Sequence, residues 1–211
     1  MSEREQDISL DIEDFAQAQG MQPSDRPLGD ATPFLRLGMM DYAGRTYEGT
    51  LDGRDAMLAE FAIDSPGASE AFGGSGVSDN WFTLFLVKVD VPEWPRLTVH
   101  PAEFSEGWFT RLFHRDDHRV HGFSDPFDDR YRVRAANDVT DDEVHGLLDS
   151  VLVSWYLEQG ELVFDAESNV ETGDSVVVAR RGLGLSKAEL ERLLDQTRHL
   201  IDRITQPSAD G

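Results

Sequence analysis

An Asp52-Gly53 step sits between two strand-like runs, Tyr47–Leu51 and Arg54–Ile63. A type I′ turn needs positive φ at both central positions, and Asp-Gly is one of the few pairs that accept it. The segment is therefore read as a β-hairpin. Its second strand puts Met57, Ala59 and Phe61 on one face and Leu58, Glu60 and Ala62 on the other. A two-residue connection joins only antiparallel strands, so the first sheet-forming segment commits the chain to antiparallel pairing.

The next runs extend that pattern. Trp81–Val89 is rich in aromatic and β-branched residues and reads as a central strand, ended by Pro92 and Pro95. Arg96–His100 is a short strand closed by Pro101. Phe104, Trp108, Phe109, Leu112 and Phe113 recur at helical spacing and predict a short middle helix. Phe127–Ala135 reads as a strand, with Tyr131 and Val133 on one face and Arg130, Arg132 and Arg134 on the other.

Two helices are announced by capping boxes. In Thr140-Asp-Asp-Glu143 and Ser186-Lys-Ala-Glu189, each end residue's side chain can satisfy the other's free amide. Val144, Leu147, Leu148, Val151, Leu152 and Trp155 form the first apolar stripe, stopped by Gly160. Leu190, Leu193, Leu194, Ile201 and Ile204 form the second, stopped by Pro207. Between them lie strand patterns at Glu161–Glu167 and Ser175–Arg180. The expected fold is α+β: a mainly antiparallel sheet, with the two C-terminal amphipathic helices and the short middle helix on one face. Residues 1–30 are acidic and broken by Gly20, Pro23 and Pro27, so they read as a flexible arm with one amphipathic stretch at Ile12–Ala18. Residues 31–206 form the expected single domain and 207–211 a tail.

Three segments resemble a group of uncharacterised actinobacterial proteins. They are Tyr47-Glu-Gly-Thr-Leu-Asp-Gly-Arg54, Val89-Asp-Val-Pro-Glu-Trp-Pro-Arg-Leu-Thr-Val-His-Pro101 and Asp125-Pro-Phe-Asp-Asp-Arg-Tyr-Arg-Val-Arg134. In overall order the chain is also similar to the domain of unknown function 3137, which pairs a hairpin, an aromatic strand and a leucine-rich helix. The resemblance covers roughly Pro33 to Ile204. It implies the fold order and carries no catalytic residues.

Composition removes several functions. With 41 acidic against 19 basic residues the formal charge is −22, which disfavours nucleic acid or an anionic membrane as partner. There are no cysteines, hence no disulfide, thiolate metal site or thiol nucleophile. The acidic N-terminus lacks targeting features, and the longest strongly apolar run, Trp81–Val87, is far below the roughly 20 residues that span a bilayer. A cytoplasmic protein without membrane insertion is expected.

Few motifs suggest chemistry. His114, Asp117, His118 and His121 would gather on a helix, where imidazoles and a carboxylate can hold Zn²⁺, Ni²⁺ or Mn²⁺. The plainer reading of that run is a solvated connection. Asp125, Asp128 and Asp129 lack the spacing of a calcium loop. Gly73-Gly-Ser75-Gly has neither the spacing of a nucleophile elbow nor the lysine of a phosphate loop. No cofactor fingerprint is present.

Charge segregation says more. No Lys or Arg occurs from Ala135 to Ala179, whereas Arg111, Arg115, Arg119, Arg130, Arg132 and Arg134 precede it. Arginines on a strand can take carboxylates or an anionic ligand, unless neighbouring aspartates neutralise them. Trp94, between Pro92 and Pro95, is a candidate aromatic anchor. The expectation is a non-enzymatic, protein-binding module of adaptor or chaperone type, with Arg130, Arg132, Arg134 and Trp94 at the interface. The alternatives are a divalent-metal-binding protein or metal-dependent hydrolase using His114, Asp117, His118 and His121, and a small-ligand binder with a pocket beside the Trp155 helix.

Overall fold

The structure is a computed structural model that describes residues 3–26, 42–62, 81–89, 95–102, 117–160, 162–167, 175–181 and 185–205. Its strands are β1 (Gln22–Pro23), β2 (Tyr42–Leu51), β3 (Arg54–Ala62), β4 (Trp81–Lys88), β5 (Leu97–Pro101), β6 (His118–Val120), β7 (Tyr131–Ala135), β8 (Val163–Glu167) and β9 (Ser175–Arg181). Its helices are α1 (Glu3–Ala18), α2 (Asp125–Arg130), α3 (Asp141–Leu147), α4 (Ser150–Gln159) and α5 (Lys187–Thr205). The strands form one 9-stranded sheet in the order β1-β2-β3-β4-β9-β8-β5-β7-β6. Every neighbouring pair is antiparallel.

Pairing register assigns the two faces. Across the sheet, Tyr47, Leu58, Phe85, Val178, Phe164, Val99, Val133 and Val120 stand opposite one another in a single row. Every member is apolar or aromatic, because this face carries the helices. One residue along each strand, the register row belongs to the other face of the sheet. The adjacent row runs Glu48, Met57, Leu86, Val177, Asp165, Thr98, Arg134, Arg119. It passes from apolar at β3 and β4 to basic at β7 and β6.

The core lies between the first face and the helices. Ile12, Phe15 and Ala16 of α1, Val144 of α3, Leu152 and Tyr156 of α4, and Leu190, Leu193, Leu200 and Ile201 of α5 share one cluster with Leu58, Phe85, Val99 and Val133. This supports the expected α+β class with helices on one face. The β2–β3 turn is as expected, with Asp52 at φ 50° and Gly53 at φ 80°. Gly53→Ala is expected to cost about 1 kcal/mol, because a Cβ disfavours the left-handed region; that is a fall of roughly 2–4 °C in Tm, readable by calorimetry.

Four local expectations are corrected. Much of the acidic N-terminal stretch is helix α1 and not a flexible arm. Ile12, Phe15 and Ala16 recur at i, i+3 and i+4, are buried, and bring Phe15 edge-on to Phe85 with ring centroids 6.3 Å apart, while Asp11 and Asp14 stay outside. The segment from Phe127 begins as helix α2, with a proline in its first turn, acids at Asp125 and Asp128, and β7 starting only at Tyr131. The Thr140 capping box forms, but its helix ends at Leu147. Asp149 then caps a second helix by accepting from the Val151 and Leu152 amides, so one continuous stripe belongs to two helices. His118–Val120, expected within a solvated connection, forms strand β6 on β7. The expected middle helix Phe104–Phe113, the glycine-rich stretch Asp64–Asn80 and the tail 207–211 lie outside the described residues.

Candidate functional site

The basic end of the second row is built from three short strands. In β7, Tyr131, Val133 and Ala135 face the core, so alternation sends Arg132 and Arg134 to the opposite face, both half-buried. In β5, Leu97 and Val99 face the core, so Thr98 and His100 share the arginine face, and both are almost completely buried. Register sets Thr98 opposite Arg134 and His100 opposite Arg132. On the far side, β6 sets Arg119 opposite Arg134. Arg96, just before β5, completes the group.

Only part of this positive charge is neutralised by described carboxylates. Arg96 pairs with Asp117, which is buried. Arg134 donates through Nη2 to the backbone carbonyl of Asp117 and not to its carboxylate. Arg132 donates through Nη1 to the carbonyls of Asp128 and Tyr131, the latter at 2.8 Å. Neither Arg132 nor Arg134 forms an ion pair among the described residues. The Nε atoms of Arg96 and Arg134 are buried and have no hydrogen-bond partner there. Two half-buried guanidiniums without a carboxylate among the described residues are a marked feature in a chain of formal charge −22. Moreover, like charges directly opposite on neighbouring strands, as Arg119 and Arg134 are, oppose pairing.

His100 reports the local field. Burial chiefly, and the Arg134, Arg132 and Arg119 charges further, push its pKa down to about 4, against the bond to the Pro101 carbonyl. Its Nδ1 lies 3.0 Å from that carbonyl, so Nδ1 carries the proton and the ring is neutral. The unfolded chain binds a proton on this residue at higher pH than the fold does. Stability is therefore full above pH ~6.5 and falls as pH drops toward about 4, by at most about 3 kcal/mol. His100→Gln is expected to flatten that slope in urea titrations run at a series of pH values.

The other proposed residues are placed as follows. Arg130 does not share the face of Arg132 and Arg134. It ends α2, and its Nη1 donates to the Leu157 carbonyl of α4 at 2.8 Å, with its guanidinium 5.9 Å from the Tyr131 ring centre on the helix side. A helical turn before the strand breaks the alternation that would align all three. Trp94 and His114 lie outside the described residues. Asp117 faces Arg96, whereas His118 starts strand β6 and puts Nε2 3.0 Å from Asp141 Oδ1. His121 is exposed, and its carbonyl lies 2.9 Å from His145 Nε2. Asp117 and His118 thus pair with different residues, and the described residues contain no group of three or more His, Asp or Glu able to hold a metal. The space beside the Trp155 helix is occupied by Tyr156, Tyr131 and Phe127, packed ring to ring. A cleft of about 200 Å³ opens elsewhere, over β2–β4, lined by residues of mixed charge including Arg26, Glu48, Asp55 and Lys88.

Sequence reasoning missed Arg96, Thr98 and His100. Their signal is the alternation of Arg96-Leu-Thr-Val-His100, in which every second residue is polar. No described helix is long and apolar enough to cross a membrane.

No family model and no curated protein matches the chain. Its fold is similar to that in the crystal structure of the mycobacterial trehalose monomycolate transport factor A, TtfA. The TM-score is 0.64 at 13% identity, over 96% of this chain and 98% of that one. At this identity the likeness establishes a shared fold alone.

Proposed function

We propose that this chain is a non-enzymatic accessory factor that binds a protein partner through the arginine-bearing face of its sheet. One observation carries the reading. Arg132 and Arg134 are half-buried, bonded only to backbone carbonyls, and lack a carboxylate among the described residues. A guanidinium retains a planar fork of donors for carboxylates even when one nitrogen is engaged. The neutral, buried His100 opposite Arg132 on β5 offers no competing charge. The likeness to a transport factor supports an accessory role.

Capture from the lysate of the native host, at near-native salt, tests the reading. Tagged wild-type chain is expected to retain a stoichiometric protein, and the Arg132→Gln/Arg134→Gln chain to lose it. Equal retention by both chains would remove the arginine face from the interface.

A further inference from the structure

We infer that the cleft over β2–β4 binds a small aliphatic α-amino acid. Its ammonium sits on Asp55, its carboxylate on Lys88 and its side chain over Met57 and Leu86. The site lies toward the other end of the sheet from the arginine group and does not rest on the protein-binding reading.

Register builds the cleft. Glu48, Met57 and Leu86 are neighbours in one row across β2, β3 and β4. Asp55 on β3 and Lys88 on β4 stand two residues from Met57 and Leu86, so alternation puts them on the same face. Ala56 pairs with Val87, which makes Asp55 and Lys88 cross-strand neighbours one place beyond that pair. All five residues line the cleft. Met57 and Leu86 form its bottom, 2% and 3% exposed, whereas Asp55 and Lys88 are exposed at its rim.

Charge selects the ligand. Glu48 and Arg26 pair with each other at 3.5 Å and form one wall. Asp55 and Lys88 form no ion pair among the described residues, not even with each other. Opposite charges on neighbouring strands attract, so two that stay apart leave each open to a group of the other sign. A carboxylic acid alone would meet Lys88 but face the Asp55 carboxylate. An amine alone would meet Asp55 but face the Lys88 ammonium. A zwitterion satisfies both.

Spacing and size narrow the class. An α-amino acid carries both charges on one carbon, and neighbouring strands set Asp55 and Lys88 about 5 Å apart. Met57 and Leu86 lie about 7 Å further along the strands, within reach of a short aliphatic side chain. A cavity of about 150 Å³ holds benzene. The cleft, at about 200 Å³, therefore suits an amino acid of valine or leucine size.

Nuclear magnetic resonance titration of the full chain, labelled with carbon-13 at its methionine methyls, tests this. L-leucine is expected to shift the Met57 methyl and to saturate with a Kd of about 1 mM, as suits roughly nine non-hydrogen atoms in an open cleft. Isocaproate, which lacks the ammonium, and isopentylamine, which lacks the carboxylate, should each bind at least about tenfold more weakly. Lys88→Gln and Asp55→Asn change exposed side chains, so each should weaken leucine at least about fivefold with the urea midpoint unchanged. No saturable shift at twenty times that Kd overturns the inference. Isocaproate that binds as tightly as leucine overturns it in favour of a simple anion site, and isopentylamine that does so in favour of a cation site. Full leucine affinity in both variants also overturns it. Loss of the captured protein in Lys88→Gln, with no shift by leucine, overturns it in favour of a protein contact at the cleft.

Discussion

The Arg132→Gln/Arg134→Gln chain is expected to lose its partner at least about a hundredfold while remaining as stable as the wild type or more so. Each charge-assisted bond contributes about 1.5–3 kcal/mol, so removing two exceeds a factor of about 100. Glutamine keeps the apolar stem and a polar amide, and discards the charge with the Nη atoms that reach the carbonyls of Tyr131 and Asp117. The fold has little need of that charge, because neither side chain forms an ion pair among the described residues. Interface residues are commonly kept at some expense to folding, so rising stability with falling affinity is the signature of a binding face. Losing both together in urea titration and capture would instead make these arginines structural.

The second large effect is in the core. Tyr156 is fully buried on α4. Its ring stands edge-on to Phe127 at 6.1 Å, Tyr131 at 5.4 Å and Trp155 at 5.3 Å. Tyr156→Ala is expected to cost about 3–5 kcal/mol by opening a cavity in this cluster. Tyr156→Phe should do the reverse. The Tyr156 hydroxyl is buried without a hydrogen-bond partner among the described residues, and burial, followed by the neighbouring Tyr131, pushes its pKa well above the usual value. Removing an unsatisfied hydroxyl is expected to stabilise the chain by about 1–2 kcal/mol. Tyr131 is the contrasting control. Its hydroxyl lies within bonding distance of the Tyr156 and Gly160 carbonyls, so Tyr131→Phe should destabilise. Chemical denaturation of the three variants checks all of these signs.

The parts legible in the sequence are those fixed by local chemistry. The Asp52-Gly53 turn needs only its own two φ angles, and the Thr140 box only its own four residues. Alternation likewise gave the faces of Tyr131–Ala135, with Arg132 and Arg134 opposite the core side. The rest depends on what each segment packs against. Residues 3–18 are too polar in composition to announce a core helix, yet Ile12, Phe15 and Ala16 supply enough apolar surface to dock it. The break at Leu148–Asp149 is hidden because the apolar period continues through it, and only the Asp149 cap marks the new start. Arg130 reads as a sheet residue because one helical turn imitates one more step of alternation. His100 and Arg96 join the site through pairing of β5 with β7, a contact between segments more than thirty positions apart.

Arginine footprinting with phenylglyoxal, read by mass spectrometry, tests the central claim most directly. It is run on the free full-length chain and again on the captured complex. Arg132 and Arg134 are expected to react in the free chain and to be protected at least tenfold in the complex. Arg192 and Arg203, on the helix side, should react alike in both. Protection of Arg192 and Arg203 with Arg132 and Arg134 unchanged would place the partner on the helices and contradict the account.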